Sequence, residues 1–292
     1  MMSRRSRLRM MSRRFLLQYG CLVAGGGLLA VLLGSVSPSE GPARAAQAPE
    51  EPAPPVTIRW HGQSFFTVTT SRGLRIAFDP HAIPHFGRGP QRVDFVLISH
   101  PHNDHDQIGI FEPPPKDADV YRGVIEPRPG RQEWKSYDER RGAIRFRTVA
   151  TFHDALSGMQ RGKNTVWVLH TDGLNICHLG DLGHELSDEQ RKAIGPVDVL
   201  MVPIGGIYTL NGEQAAEVVR QLRPRLYVLP MHYGVPGYDD LLGPEEFLTY
   251  FKDDEKEKRL GTNELIVRAS DKLPKAKVLL LGWKDRTSKD GK

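Results

Sequence analysis

Cysteine is scarce in this 292-residue chain, which contains only Cys21 and Cys177. A small domain held together by disulfide bonds is therefore excluded, because such domains are rich in cysteine pairs. Cys21 lies in a segment that is expected to be removed on export, which would leave Cys177 without a partner. A chain of this length can instead be stabilised by a large hydrophobic core.

The body of the chain also lacks an excess of charge of either sign. Residues 1–45 hold seven of the 40 basic residues and one of the 35 acidic residues, so the remainder carries 33 basic and 34 acidic side chains. A near-neutral body does not have the basic surface that nucleic-acid binding requires. The sequence pI near 9.2 therefore reflects the N-terminal segment, and nucleic acid is not expected as a partner.

Residues 1–45 have the three parts of an export signal. Six arginines precede an uncharged stretch from Phe15 to Ser39, and small residues follow at Ala43 and Ala45. We therefore expect an exported, periplasmic or extracytoplasmic protein that is cleaved after Ala45. The run from Ser12 to Leu17 resembles a twin-arginine signal, but it lacks the residue that normally separates the arginine pair from phenylalanine, so the export route stays open. An uncleaved leader that anchors the chain is the alternative, and membrane association is expected only by that route.

Composition divides the rest of the chain into three parts. Residues 46–55 form a proline-rich linker, residues 56–283 form one folded domain, and residues 284–292 form a polar tail. Within the domain, short apolar runs bounded by Gly, Pro and Asp indicate many strands. Helical patterns occur at 187–194, 212–222 and 244–251. This alternation predicts a layered α/β domain whose loops carry a site.

A dense group of polar side chains follows one of these strands. Residues 94–99 form an apolar strand, and the sequence HPHNDH follows directly at residues 100–105. Four side chains of the types that bind metal therefore occur within six residues. Imidazole and carboxylate groups together suit zinc, and a bend at the strand end can turn them towards adjacent metal positions.

The spacing His100-x-His102-x-Asp104-His105 resembles the signature motif of the metallo-β-lactamase superfamily. Asp79, His153, Asp181 and His232 occur in the family's order, and the stretch from Pro203 to Thr209 resembles one branch. That branch contains the ascorbate-6-phosphate lactonases and the N-acyl-phosphatidylethanolamine phospholipase D enzymes. The resemblance implies an α/β fold, specifically a four-layer αββα sandwich with mixed sheets.

The resemblance also implies two metal ions. Each ion has three ligands of its own, and one further carboxylate is shared by both. The first ion is held by His100, His102 and His153. The second ion is held by Asp104, His105 and His232, and Asp181 bridges the two. We expect two Zn²⁺, with Mn²⁺ or Fe²⁺ as alternatives, because this ligand count leaves a position open for water.

A site of this kind favours hydrolysis. A hydroxide that bridges the metal ions is the expected nucleophile, with Asp181 and Asp104 as catalytic carboxylates. His184 is expected to touch the substrate or to support the ligands from outside. Tyr208, Tyr233 and His184 are the candidates for the proton donor.

Several nearby residues are expected to have supporting roles. His178 lies on the strand face opposite Asp181, which favours a core or supporting role. Asp79 is expected to orient a ligand histidine. The family often has a histidine at the position of Gln63, so Gln63 or His61 must take over any role of that histidine here. His81 and His85 are expected either in a surface loop or in the pocket, and the sequence does not decide between the two.

The bond that is cleaved is not specified by the sequence. We expect an ester, lactone, phosphodiester or related bond in a small molecule or lipid. Two alternatives of other classes stay open: a di-iron redox protein on the same ligands, and a non-catalytic metal-binding envelope protein. A nuclease is disfavoured because no room exists between Asp181 and His232 for a nucleic-acid-clamping domain.

Overall fold

The computed structural model of the protein describes residues 54–87, 89 and 92–283. The predicted leader, nearly all of the linker and the polar tail lie outside the described residues. The first strand begins at Val56, the residue at which the sequence predicts the start of the domain. None of the helices in the described part of the chain is long and apolar enough to cross a membrane.

The described residues contain sixteen strands and three α-helices. The strands are β1 (Val56–Trp60), β2 (Phe66–Thr69), β3 (Arg75–Phe78), β4 (Phe95–Ile98), β5 (Val120–Arg122), β6 (Val124–Arg128), β7 (Arg131–Trp134), β8 (Asp138–Arg141), β9 (Ile144–Phe152), β10 (Lys163–Thr171), β11 (Leu174–His178), β12 (Val199–Pro203), β13 (Tyr227–Met231), β14 (Lys256–Arg259), β15 (Glu264–Val267) and β16 (Lys277–Leu281). The helices are α1 (Asp188–Ile194), α2 (Gly212–Leu222) and α3 (Glu245–Thr249).

These strands form two large mixed sheets and one hairpin. The six-stranded sheet has the order β15-β1-β2-β3-β4-β5, and the eight-stranded sheet has the order β14-β16-β13-β12-β11-β10-β9-β8. β6 and β7 pair only with each other. Within the larger sheet β11, β12 and β13 are parallel, while β10 is antiparallel to both β9 and β11. β9, β11, β12 and β13 therefore all end at the same edge of the sheet.

One hydrophobic core joins the inner faces of the two sheets. Ile58 and Val68 of the smaller sheet belong to the same buried cluster as Val166 and Met201 of the larger sheet. The strand β1 shows the alternation that this requires, because Val56, Ile58 and Trp60 are buried and the residues between them are not. The two sheets thus form the sandwich that the sequence predicts.

The outer faces of the sandwich are covered differently. Helix α2 packs on β12, every residue of which is buried, as expected for a strand covered on both faces. On the smaller sheet, Ala77 and Val96 point outwards into a second cluster with Phe65 and Phe111. That outer layer is made of loops and the 3₁₀ turn Ile108–Ile110 in the described residues.

The helix boundaries follow from local sequence signals. Ser187 accepts a hydrogen bond from the Gln190 backbone N–H, and the Gln190 side chain accepts one from Ser187 N. This reciprocal cap confirms the predicted start of α1. Asn211 and Gln214 form the same arrangement at the start of α2.

Candidate metal centre

The ligand-type side chains lie where strands of both sheets end. β4 ends at Ile98 and leads into His100, and β9 ends at Phe152, immediately before His153. β11 leads to Asp181, and β13 ends at Met231, immediately before His232. Because β9, β11 and β13 end at one edge, these side chains meet the loop after β4 across the sandwich.

The first cluster contains three imidazoles. Nε2 of His100 lies 2.9 Å from Nδ1 of His102, and the ring centroid of His153 lies 4.8 Å from that of His100. One nitrogen of each ring lies within 4.8 Å of the others. The structure therefore brings together the three side chains that the resemblance implies for the first metal ion.

The second cluster contains one carboxylate and two imidazoles. Oδ2 of Asp104 lies 3.4 Å from Nε2 of His105 and 3.9 Å from Nε2 of His232. One ligand atom of each of these three side chains lies within 4.8 Å of the other two. They are the side chains that the resemblance implies for the second metal ion.

Asp181 lies between the two clusters. Its Oδ2 lies 3.2 Å from Nε2 of both His105 and His153, and 3.1 Å from Nε2 of His232. Its Oδ1 accepts a hydrogen bond of 3.2 Å from the Ser64 hydroxyl, and its backbone N–H donates to Asn164 Oδ1 at 3.0 Å. The carboxylate is therefore fixed on one side while its second oxygen faces imidazoles of both clusters.

Asp79 orients His105 directly and His100 through Ser99. Its Oδ2 lies 3.0 Å from Nδ1 of His105 and accepts a 2.6 Å hydrogen bond from the Ser99 hydroxyl. Ser99 Oγ lies 2.8 Å from Nδ1 of His100. Because the Ser99 proton goes to Asp79, His100 Nδ1–H must be the donor to Ser99 Oγ. Both Nε2 atoms are then left facing the centre, which is the orienting role predicted for Asp79.

Asp79 is also near enough to be a ligand itself. Carboxylate and imidazole atoms of Asp79, His100 and His105 lie within 4.8 Å of one another. However, Oδ1 of Asp79 accepts the Ser99 backbone N–H at 2.7 Å, and Oδ2 is engaged by Ser99 Oγ and His105. These bonds satisfy the buried carboxylate without a cation.

The carboxylates of the centre favour positive charge beside them, although burial opposes charge on every group. Burial lowers the pKa of His100 well below its usual value, so this ring is neutral. Burial alone would raise the pKa of Asp181, but His105 and His232 hold it well below the usual range. Burial disfavours charge on His105 as well, yet Asp181 and Asp104 raise its pKa well above normal. Positive charge is therefore stabilised next to Asp181.

The donor set fits divalent cations. His100 is neutral with a lone pair directed inwards, and the Nε2 atom of His105 is buried without a hydrogen-bond partner. A neutral His105 would place that lone pair 3.2 Å from a carboxylate oxygen, which is repulsive unless a cation lies near both atoms. Imidazole nitrogens and carboxylate oxygens are the ligands that zinc prefers, alongside thiolate.

Two glycines allow the backbone to approach the centre closely. Gly180 has φ +55°, and a Cβ atom there would lie 2.4 Å from Asn164 Oδ1. A Cβ atom on Gly205 would lie 2.2 Å from the backbone oxygen of His232. The glycines before Asp181 and after Pro203 in the sequence are therefore required by packing against the loops that position the ligand side chains.

His178 has the supporting role that the sequence predicts. Its ring stacks on Phe78 with centroids 5.1 Å apart. Nε2 lies 2.8 Å from the Ser64 backbone oxygen, and Nδ1 accepts from Gly180 N. It thereby positions Ser64, whose hydroxyl contacts Asp181. Ser64 and Asn164 are the contacts of Asp181 that the sequence analysis does not predict, since neither belongs to a motif with recognisable spacing.

His184 is not brought into either cluster. Its Nε2 accepts a 3.1 Å hydrogen bond from the Phe152 backbone N–H, and its Nδ1 donates to the Glu185 backbone oxygen at 2.7 Å. Both ring nitrogens therefore have backbone partners. Through Phe152 the ring supports the strand end that carries His153, which is compatible with the predicted supporting role but leaves no nitrogen free for proton transfer.

Gln63 contacts the centre, whereas His61 does not. Gln63 Nε2 donates to Asp104 Oδ2 at 3.2 Å, and the backbone oxygen of Gln63 accepts from His232 N at 3.0 Å. His61 instead lies 2.9 Å from the Thr67 hydroxyl. Of the two residues proposed to replace the family's histidine, Gln63 is thus the one beside a ligand carboxylate.

The remaining candidates lie around the centre. Tyr233 is buried and stacked on Trp60, and burial raises its pKa. Tyr208 is 44% exposed beneath the Arg161 guanidinium. His81 is buried with Nε2 3.2 Å from the Gly62 backbone oxygen. His85 stacks near Tyr238 and belongs to neither cluster.

The sequence that forms this centre matches the model of a known protein family. The model of the beta-lactamase superfamily domain matches residues 57–232. That range contains the six side chains of the two clusters and Asp181 between them. The chain belongs to the metallo-β-lactamase superfamily.

Archaeal members of the superfamily are similar over most of their length. A UPF0173 protein of Pyrococcus furiosus is 32% identical over 198 residues, which cover 65% of this chain and 88% of the relative. A UPF0173 metal-dependent hydrolase of Thermococcus onnurineus is 30% identical over 211 residues, which cover 66% and 90%. Within the superfamily, the chain is therefore a member of the UPF0173 metal-dependent hydrolases. The finer resemblance to the lactonase and phospholipase branch stays a prediction.

A solved structure of the superfamily confirms the fold. A Thermotoga maritima protein, described as a candidate Zn-dependent hydrolase of the metallo-beta-lactamase superfamily, aligns with a TM-score of 0.58 and 30% identity. The alignment covers 78% of this chain and 98% of that protein. A protein of Parabacteroides distasonis with 20% identity aligns with a TM-score of 0.52 and supports the fold alone.

Proposed function

We propose that this superfamily member is a zinc-dependent hydrolase with two metal ions. His100, His102 and His153 would hold the first ion, Asp104, His105 and His232 would hold the second, and Asp181 would serve both. The observation that carries the proposal is the position of Asp181 Oδ2, which has three imidazole nitrogens from both clusters at 3.1 to 3.2 Å. Three buried protonated imidazoles around one carboxylate oxygen would leave a large uncompensated positive charge, whereas divalent cations use the nitrogen lone pairs directly.

Two bound divalent cations would supply Lewis-acid chemistry, acidifying a water molecule and polarising the bond to be cleaved. The chain's own residues prepare the site for this role. Ser64 and Asn164 orient Asp181, and Gln63 donates to Asp104. Asp181 and Asp104 would be the carboxylates beside the reacting groups. His184 acts only through the strand end beside it, and Tyr208 is the most accessible candidate for the proton donor.

We infer a substrate with an ester, lactone, phosphodiester or related bond, in a small molecule or a lipid. The near-neutral charge of residues 46–292 supports a partner other than nucleic acid. Export through the predicted leader would place the enzyme outside the cytoplasm. N-terminal sequencing of the processed protein tests cleavage after Ala45, and recovery of intact Met1 in the membrane fraction would favour an anchored form.

Metal analysis combined with a hydrolysis screen tests the proposal. The purified mature chain should bind close to two equivalents of zinc and hydrolyse at least one of four substrate types: aryl ester, lactone, phosphodiester or amide. One equivalent or none after reconstitution with zinc, manganese and iron would contradict the binuclear centre. Retention of two iron ions with oxygen consumption and no hydrolysis would favour the redox alternative, and metal binding with neither activity would favour the non-catalytic one.

A further inference from the structure

A polar pocket of 330 Å³ lies beside the proposed metal centre. Its lining includes His102, Arg161 and Lys163, together with Gln132 and Gln160. His102 is therefore shared between the pocket and the first cluster. A molecule bound in the pocket would extend directly to the first metal position.

Both cationic side chains are held in place without a carboxylate partner. Lys163 Nζ donates to the Gln132 backbone oxygen at 3.0 Å and lies 4.5 Å from the centroid of the Trp134 ring. The Arg161 guanidinium lies 4.8 Å from the centroid of Tyr208 and donates to the Ile207 backbone oxygen at 3.1 Å. Neither forms an ion pair with any residue in the described part of the chain, while cation–π contact and carbonyl oxygens fix their positions.

The loop that carries Arg161 is built around one buried carboxylate. Asp154 Oδ1 accepts the backbone N–H groups of Leu156 and Gly158, and Oδ2 accepts those of Gln160 and Arg161. These bonds lower the pKa of Asp154 against the opposing effect of its desolvation. Since Asp154 follows His153 directly, the loop is tied to the first cluster, and the backbone of Arg161 is placed with it.

The single acidic residue of the pocket lining does not cancel this charge. Glu126 Oε1 accepts the Gly130 backbone N–H in the turn between β6 and β7. Glu126 forms no ion pair with Arg161 or Lys163, so the lining has two cations against one carboxylate. Two cations without an acidic partner in one pocket are notable in a body whose acidic and basic side chains are nearly equal in number.

We propose that this pocket binds an anionic group of the substrate, a carboxylate or a phosphate, while the bond to be cleaved lies over the metal centre. The proposal rests on the proposed hydrolase function and adds the substrate class to it. Arg161 and Lys163 would form charge-assisted hydrogen bonds with the anion, and the amides of Gln132 and Gln160 line the same space. The substrate is thus an ester, lactone or related compound with a second, negatively charged group.

Binding of simple carboxylates to the zinc-loaded protein tests this arrangement. Butyrate offers one carboxylate for the metal centre, whereas glutarate offers a second one for the pocket. We expect calorimetry to give about tenfold tighter binding for glutarate than for butyrate. The preference should weaken in high salt, because the charges are partly exposed. A third probe, 4-phosphonobutyrate, distinguishes a phosphate preference from a carboxylate preference.

Substitutions then assign the preference to the two cations. In Arg161→Gln/Lys163→Gln, glutarate and butyrate should bind alike, with butyrate affinity and zinc content unchanged. Arg72→Gln and Lys272→Gln remove matched exposed charges elsewhere and should leave the preference intact. Equal binding of the two acids by the unsubstituted protein overturns the pocket proposal alone, as does a preference that survives the double substitution. A protein that retains no zinc overturns the hydrolase proposal as well.

Discussion

Oδ2 of Asp79 lies 3.0 Å from Nδ1 of His105 and also accepts the Ser99 hydroxyl, which in turn contacts His100. One buried carboxylate thus orients a histidine of each proposed metal site. Replacing it by Asn keeps the size and tolerates the positive φ of this position, but removes the negative charge. We expect Asp79→Asn to weaken zinc binding by about 10-fold to 100-fold, measured by competition with a chromophoric chelator. An unchanged zinc affinity would show that these contacts are only structural.

His232 and His184 should respond differently to truncation. His232→Ala removes a proposed ligand, so one zinc equivalent should be lost and hydrolysis should fall by several orders of magnitude. His184→Ala should retain both ions, because its ring nitrogens contact only the backbone, and should cost about 10-fold to 100-fold in rate. Metal analysis and circular dichroism of both variants decide the assignment. Loss of metal from the His184 variant alone would require the two residues to exchange roles.

The side-chain amide of Gln63 should strengthen zinc binding at the second site by its hydrogen bond to Asp104. Gln63→Leu leaves Asp104 Oδ2 without this donor and should weaken binding of the second zinc by about tenfold, with the first ion unaffected. Gln63→His, which restores a ring donor, should preserve more of that affinity. Stepwise zinc titration separates the two sites. An unchanged affinity in Gln63→Leu would mean that the glutamine acts only through its backbone bond to His232.

A methyl group at Gly180 should disturb Asp181. In Gly180→Ala the new Cβ atom would lie 2.4 Å from Asn164 Oδ1, and the residue has a φ of +55° that disfavours alanine. We expect the free energy of unfolding to fall by about 1 to 3 kcal/mol and zinc affinity to fall with it. Gly142→Ala is the matched control, since it also has positive φ but no atom within 4 Å of the new Cβ. Similar losses in both variants would attribute the effect to backbone strain alone.

His81 should make stability depend on pH in the acid range. Burial lowers its pKa to about 4, and protonation would also disrupt the hydrogen bond that Nδ1 accepts from Ile83 N. The unfolded chain binds this proton below pH 6.5 and the folded chain only near pH 4, so the free energy of unfolding falls as the pH decreases through that window. The slope from this group is at most about 1.4 kcal/mol per pH unit.

The variant His81→Asn retains an acceptor for Ile83 but cannot titrate. Denaturant unfolding of both proteins between pH 7 and pH 4 should therefore give a flatter dependence for the variant. The difference between the two curves isolates His81, since the other histidines are common to both. Parallel curves would contradict the assignment.

The sequence predicts most of the ligand set because its strongest signal is local. The motif at residues 100–105 lies within six residues after one strand, and the helix caps at Ser187 and Asn211 are equally local. His153 and His232 have no such spacing and depend on strand ends that meet only in the folded sheet. The orientation of His100 and His105 also depends on Asp79, which lies far from them in the sequence and reaches Ser99 and His105 through the parallel pairing of β3 with β4.

The pocket of Arg161 and Lys163 had no recognisable pattern in the sequence. Its cations come from one loop and the strand that follows, but their aromatic partners Trp134 and Tyr208 are distant along the chain. Nothing in the spacing of these residues indicates that both cations lack a carboxylate. Whether Arg161 and Lys163 have acidic partners is determined by the tertiary fold and not by the local sequence.

The loops that begin at the shared edge of β9, β11, β12 and β13 have two roles, which are to position ligand side chains and to line the pocket. Three of the proposed ligands, His153, Asp181 and His232, lie within three residues of the ends of β9, β11 and β13. Residues from the segment 157–162, further along the loop after β9, line the pocket instead. Insertions or substitutions in the outer parts of the loops can therefore change which molecules are accepted without displacing the ligand side chains. New specificities can arise on this scaffold through loop changes that leave its metal chemistry in place.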